Sequence, residues 1–427
     1  MSQWSLIAKI RQRFSSSPVP PDQRLGREAI ISLIIHASFQ FGASMSGLFL
    51  NLYLWRLTED FTINAIYNIV NFAMTPFAFA IGGLIAKKLD RMVVYRLGIM
   101  LCAAFYLLVI ITGESVPDYF ILFALLNGIS SGFYWTGYLI LQYDVSTDRN
   151  RVRYLAINMV TFNSAGLAGP ALAGSIISRM EGLQGYLTIF MFAFVMFVVA
   201  AIISTRIKAI VSHHKAYYLK YVGLVMKKNK LWLYSLCGFF VFGLFQGIML
   251  FLPNILLFQA VEREDLVGYF GVLFSGITVA TGYVISRRAQ KEQARKYILY
   301  ATIAVVLAAS MLLIEVKLWS VIIFMVVFSV CNPLTVNSMT SYFYRLISGL
   351  PLKGQLKVES VVMREAFLNA GRVVAISILI MLATDLQSIW LAIVILAMAA
   401  AQFLLLLFIR PEQAEQAETA ASVAANK

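Results

Sequence analysis

The chain has 427 residues, 60% of them hydrophobic and only 13% charged, with a formal net charge of +14. Water-soluble domains carry about 25% charged residues, so this chain cannot clothe itself in polar surface, and a soluble globular protein is excluded. The positive charge sits at the ends of apolar stretches, which makes it a membrane-topology signal and argues against nucleic-acid binding.

Apolar runs of roughly 20 residues, the length that crosses a bilayer core, define an all-α membrane protein of twelve spans. They cover 28–56, 61–86, 93–113, 117–142, 154–179, 186–207, 231–258, 266–286, 296–315, 318–346, 358–384 and 387–410. Residues 1–27 hold no apolar core followed by a small-residue cleavage site, so the first span is the expected insertion signal. In this segment Trp4, Ile7, Ile10 and Phe14 alternate with Lys9, Arg11 and Arg13, the pattern of a helix lying at the membrane surface.

Chemistry-bearing residues are sparse along the spans. The first has His36 and Gln40 at i, i+4. His36 is a proton-site candidate because imidazole titrates near physiological pH; the alternative is a neutral histidine hydrogen-bonded between helices. Lys87, Lys88 and Arg91 mark the turn between the second and third spans. The fourth span has Tyr134 and Tyr138 on one face. After it, Asp144 and Arg149 sit in a mixed-charge turn suited to salt bridges between helix ends. The fifth holds Gly169-Pro170 among spaced glycines; glycine lets a neighbouring helix approach and proline kinks. Residues 208–230 form a basic linker in which Tyr217, Tyr218, Tyr221, Leu224 and Val225 are expected on the inner leaflet and the lysines near lipid phosphates. The seventh span contributes Gln246 and Asn254, and the tenth Asn332-Pro333 and Asn337. Asn-Pro inside a span predicts a local break that exposes carbonyls to a ligand.

The eleventh span is the richest, with Glu359, Arg364, Glu365, Asn369 and Arg372. Glu365, Asn369 and Arg372 share a helix face. An unpaired charge there costs about 2.5–3.5 kcal/mol on insertion scales, so the face should turn into the bundle. Two readings stand: Glu365 takes up a proton while Arg372 receives an anionic group of a substrate, or the two form a static pair. Glu359 and Arg364, nearer the helix start, are expected at the interface with water. Cys102, Cys237 and Cys331 lie in separate spans and fit neither a disulfide framework nor a metal site. No cofactor or metal is expected.

With the N-terminus placed in the cytoplasm, 29 of the 35 Lys and Arg fall in cytoplasmic segments, and only Arg56, Arg179, Arg263 and Lys317 fall outside. The outer loops instead hold ten acids, including Glu59, Asp60, Glu262, Glu264 and Asp265. This positive-inside bias puts both termini in the cytoplasm.

The chain also nearly repeats itself after about 200 residues. Gly82-Gly83-Leu84-Ile85-Ala86-Lys87-Lys88 is echoed by Gly282-Tyr283-Val284-Ile285-Ser286-Arg287-Arg288, and Arg91 and Arg96 are matched by Lys291 and Lys296. A period this long predicts two related halves. The expected units are a cytoplasmic segment 1–27, a six-helix bundle 28–207, the linker 208–230, a second bundle 231–410 and a disordered tail 411–427.

Six plus six spans, a basic linker and the repeated Gly-to-basic turn resemble the major facilitator superfamily over roughly 28–410. That family's signature between the second and third spans aligns with Gly83, Ala86, Lys88 and Arg91, while Lys87 stands where the family has Asp and Asp90 where it has Gly. The family's Asp helps latch the two halves on the cytoplasmic side. The resemblance therefore marks Gly83, Lys87, Asp90 and Arg91 as conformational-switch residues, with Asp90 available to replace the missing acid. The stretch Gly166-Leu167-Ala168-Gly169-Pro170-Ala171-Leu172-Ala173-Gly174 is similar to a glycine-rich motif of the family's exporters. The Arg that many proton-coupled members carry in the fourth span is absent from 127–135, so proton coupling needs other groups.

The resemblance implies a secondary transporter in the cell membrane, working by alternating access, with no catalytic residues. Proton-coupled export of a small organic or amphipathic compound by a functional monomer leads. Import of an organic anion or sugar, lipid flipping, and a non-transporting sensor on the same fold are the alternatives. No Gly-rich loop with Lys-Ser or Lys-Thr is present to bind a nucleotide.

Overall fold

The computed structural model describes residues 24–146, 150–208, 216–288, 293–350, 356–383, 385–386 and 388–409. Arg149, Lys291, the basic segment around Lys9 and the tail after Pro411 lie outside these residues. Fifteen α-helices form among them. The first six spans are α1 (Arg27–Thr58), α2 (Phe61–Lys88), α3 (Arg91–Thr112), α4 (Phe120–Asp144), α5 (Arg151–Ile177) and α6 (Gln184–Ser204). A short α7 (Val222–Lys228) follows in the linker. Then come α8 (Lys230–Met249), α9 (Leu252–Val261), α10 (Glu264–Arg288), α11 (Ala294–Met311), α12 (Leu318–Ser348), α13 (Lys357–Leu382), α14 (Ile389–Ala401) and α15 (Leu405–Phe408).

Eleven stretches of the described residues are long and apolar enough to cross a bilayer. One of them, Arg91–Gln142, runs for 52 residues and folds as two helices, α3 and α4, parted by a 3-10 turn at Gly113–Tyr119. Twelve crossings result, and the chain is an integral, multi-pass membrane protein. Pro117 lies in that turn, so α4 begins at Phe120, later than the expected 117.

Two further boundaries differ from expectation for reasons of proline chemistry. The seventh span is two helices, because Pro253 cannot donate to Met249 O and its ring crowds that carbonyl; α8 stops at Met249 and α9 restarts at Leu252. The tenth span does the opposite. Helix α12 runs through Asn332-Pro333 without the expected break. The carbonyl that Pro333 leaves without its helical donor is Ser329 O, and Thr278 Oγ1 of α10 donates to it at 3.3 Å. The hydroxyl has one proton and shares it with Phe274 O of its own helix at 2.9 Å, so a neighbour partly answers the carbonyl that a ligand was expected to meet.

Within the first half, α4 packs on α2 and α3, while α1 packs on α5 and α6. Within the second, α8 packs on α13, and α12 packs on α10 and α11. The pseudo-repeat reaches further than the sequence echo. Glu59 after α1 and Glu262 after α9 both take the left-handed conformation, with φ of 49° and 52°. Each backbone N–H donates at 2.7 Å to the carbonyl four residues back, Trp55 O and Phe258 O. A non-glycine residue there is strained, so the two halves share this turn in geometry as well as in sequence.

Contact between the halves is concentrated in two helix pairs, α2 with α13 and α5 with α10. The α2–α13 pair meets from the end of α2 and the start of α13, where the lysines and arginines collect, to Phe72 and Arg372 midway along both helices. The α5–α10 pair is tightest at the opposite end.

Candidate functional site

Among the described residues, an ion pair lies at the centre of the basic-end seam. Lys87 Nζ of α2 donates to Glu359 Oε1 of α13 at 2.5 Å, across 272 residues of sequence. Glu359 is fully buried and the Lys87 side chain is 11% exposed. The linker closes over the pair. Tyr218 N–H donates to the same carboxylate oxygen at 2.9 Å, and the Tyr217 hydroxyl donates to Ala80 O at 2.9 Å. The ammonium lies 5.4 Å and 5.9 Å from the Tyr218 and Tyr217 ring centroids, within reach of cation–π attraction. Burial, and then the charge of Glu359, raise the Tyr217 hydroxyl pKa, which keeps it a donor. Gly83 makes room for this: a Cβ there would come within 3.1 Å of both the Tyr217 hydroxyl and Val358.

This geometry corrects two sequence expectations. Asp90 does not replace the latch acid; its carboxylate caps α3 by accepting from Met92 N–H at 3.0 Å. Glu359 is not exposed at an interface with water. It is the acid that faces Lys87, and it comes from the other half. Arg91 instead pairs with Asp144 at 2.5 Å, tying α3 to the end of α4 within the first half.

At the opposite end the halves meet through close backbone packing and one looser ion pair. A Cβ on Gly268 of α10 would come within 2.5 Å of Pro170 O, and one on Gly174 of α5 within 2.7 Å of Glu264 O. Only small residues allow this approach. Gly169 likewise abuts Ser44 and Met45 of α1. Arg56 Nε of α1 lies 3.6 Å from Glu264 Oε1 of α10, with 41% of the arginine side chain exposed. The Tyr186 hydroxyl donates to the same carboxylate at 3.2 Å.

Between the seams lie two polar clusters. On α13, Arg372 Nε and Nη2 donate to Gln246 Oε1 of α8 at 3.1 and 2.6 Å, and Nη1 donates to Asn369 Oδ1 at 2.8 Å. The guanidinium also lies 5.0 Å from the ring centroid of Phe72, which comes from α2 in the other half. Glu365 does not pair with Arg372. It accepts from the adjacent Arg364 at 2.6 and 3.1 Å. The nearer arginine captures the carboxylate, so the expected Glu365–Arg372 pair does not form, and the acceptors bonded to Arg372 are neutral. Gly243 and Gly371 bring α8 and α13 into backbone contact beside this group.

The second cluster belongs to the first half. His36 Nδ1 and the Tyr134 hydroxyl share a hydrogen bond of 2.7 Å, and the imidazole stacks 4.0 Å from Tyr138. His36 Nε2 and Gln40 Nε2 are buried and find no partner among the described residues. Asn254 and Asn332 are half-buried and Asn337 is exposed; none is hydrogen-bonded to either cluster. Sequence reasoning missed Tyr217, Tyr218 and Phe72 as parts of these sites, and the pairing of Arg56 with Glu264. The lysine standing where the resembling family has Asp was a signal that an acid must lie opposite.

Residues 33–350 match the Major Facilitator Superfamily. The fold resembles solved transporters: a D-xylose–proton symporter (TM-score 0.67, 11% identity, 90% of this chain and 98% of that one) and a bacterial homologue of the iron transporter ferroportin in an inward-facing state (0.67, 13%, 90% and 99%). The nucleoside transporter NupG is comparable (0.66, 14%, 89% and 98%). In sequence, the chain is 30% identical over 355 residues to "Uncharacterized protein YqgE" of Bacillus subtilis (strain 168), covering 83% of this chain and 82% of that one. The chain belongs to the Major Facilitator Superfamily.

Proposed function

We propose that the chain is a secondary transporter that works by alternating access, rocking residues 28–207 against 231–410, and that it exports a small organic or amphipathic compound in exchange for protons. The observation that carries the reading is the pair of seams at opposite ends of one inter-half interface, each joined by a cation from the first half and a carboxylate from the second. Ion pairs of this kind can break at one end while the other holds. The positive-inside bias supports placing the Lys87–Glu359 end in the cytoplasm and the protein in the cell membrane. The likeness of the 166–174 stretch to the glycine-rich motif of the family's exporters, with Gly169 packed on α1 and Pro170 and Gly174 on α10, supports the exporter direction.

In this reading Arg372 receives an anionic group of the substrate, and Glu365 exchanges a proton as Arg364 releases it. His36, with one unpartnered ring nitrogen, is the second proton-site candidate. A monomer suffices, because both seams lie within one chain. The test is flux of a ligand found by thermal-shift screening, in proteoliposomes under an imposed pH gradient. Wild type should move solute against the proton flow and Glu365→Gln should lose the coupling; unchanged coupling would sink the proton role.

A second reading, import of an organic anion, is favoured by the neutral partners of Arg372. Inside-out and right-side-out vesicles decide between the two by the direction of uptake.

A further inference from the structure

The linker joins the halves within a long stretch of chain with no acid: the sequence has none between Glu181 and Glu262. Its described part begins at 216 and divides by face. Tyr217 and Tyr218 turn inward onto the Lys87–Glu359 pair. Beyond them, a 3-10 turn (Leu219–Tyr221) leads into α7. Val222 is buried, and Leu219, Val225 and Met226 pack against the second half. The opposite face presents Tyr221 (60% exposed) and Leu224 (55% exposed). Lys220, Lys227, Lys228 and Lys230 flank them in sequence, all exposed.

Two outward apolar side chains flanked by exposed lysines, beside the ends of membrane-spanning helices, suit one partner best. An anionic headgroup layer attracts each nearby lysine, and the acyl boundary below it accepts tyrosine and leucine. The sequence pattern placed all five apolar linker residues on the lipid. The structure divides them, with Tyr221 and Leu224 facing out and Tyr217, Tyr218 and Val225 facing the protein. Only two residues separate Tyr218, hydrogen-bonded to Glu359, from Tyr221 on the outer face, so whatever holds one restrains the other.

We propose that residues 219–230 dock on anionic phospholipid headgroups, and that this docking holds Tyr217 and Tyr218 over the Lys87–Glu359 pair. The charge of the leaflet then sets how often the basic-end seam is closed. The inference rests on the reading that this seam opens and closes, and it is independent of what the protein carries.

The experiment uses full-length protein, spin-labelled at Leu89→Cys and Lys357→Cys across the seam, in nanodiscs of phosphatidylcholine alone or mixed with phosphatidylglycerol. Adding phosphatidylglycerol should raise the closed-to-open ratio by about tenfold. The quadruple variant K220Q/K227Q/K228Q/K230Q should lose this response while keeping wild-type thermal unfolding, since the four side chains are exposed. Tyr217→Phe should weaken the response and leave lipid binding intact. An equal response in the quadruple variant, or none in wild type, overturns the proposal. So does loss of the response on deleting 411–427, which would make the tail bearing Glu412, Glu415 and Glu418 the occupant. The readout is a distance, so absence of flux in the transport assay would defeat the transport reading and leave this result standing. A seam that keeps one distance in every lipid and variant would defeat both.

Discussion

The two ends of the inter-half interface are closed by different physics. At the basic end a buried lysine meets a fully buried glutamate at 2.5 Å, under two linker tyrosines. At the opposite end the backbones of α5 and α10 approach through glycines, and the ion pair beside them is longer and half in water. Charge in a low-dielectric seam answers to a proton, an ion or a lipid, whereas backbone packing answers mainly to shape. Closure of the basic end should therefore answer to charge, and closure of the opposite end to shape.

Mutations separate these roles. The largest effect should come from Glu359→Gln, which leaves the Lys87 ammonium buried without its anion. Breaking a buried pair in this way costs about 3–5 kcal/mol. It should appear as a large drop in thermal stability in detergent, and the charge-swapped K87E/E359K protein should recover much of it. Next is Gly268→Val, whose Cβ would meet Pro170 O at 2.5 Å. Overpacking of this kind costs about 1–3 kcal/mol, and it should prop the opposite end open, read as increased labelling of a cysteine at Ser178. Thr278→Val should cost about 1 kcal/mol, because Ser329 O loses a hydrogen bond. The smallest effect belongs to Arg56→Gln. Its pair is partly exposed, and such pairs contribute about 0–1 kcal/mol, so its unfolding temperature should stay near wild type.

The fold was legible where the sequence carries local punctuation. Lys87, Lys88 and Arg91 marked the turn between α2 and α3, and the echo of Gly82 at Gly282 announced the second half. Where proline acts, its consequence depends on neighbours. Pro253 parts two helices, while Pro333 does not, and a Thr278 hydroxyl shared with Phe274 O reaches the carbonyl it leaves without a helical donor. The functional pairs were less legible for the same reason. Spacing along α13 put Glu365 and Arg372 on one face, yet the adjacent Arg364 takes the carboxylate. The acid that answers Lys87 lies 272 residues away, and no helical periodicity reaches that far. Composition alone makes all three linker tyrosines outward-facing; Tyr221 is, but Tyr217 and Tyr218 turn in to partners remote in sequence.

In the proposed transport cycle the two seams open in alternation. Spin-label pairs at both ends, Leu89 with Lys357 and Ser178 with Tyr269, measured in one membrane preparation, test it most directly. With Glu359→Gln the basic-end distance should lengthen while the opposite-end distance stays short or shortens further. Lengthening at both ends together, or at neither, would contradict the account.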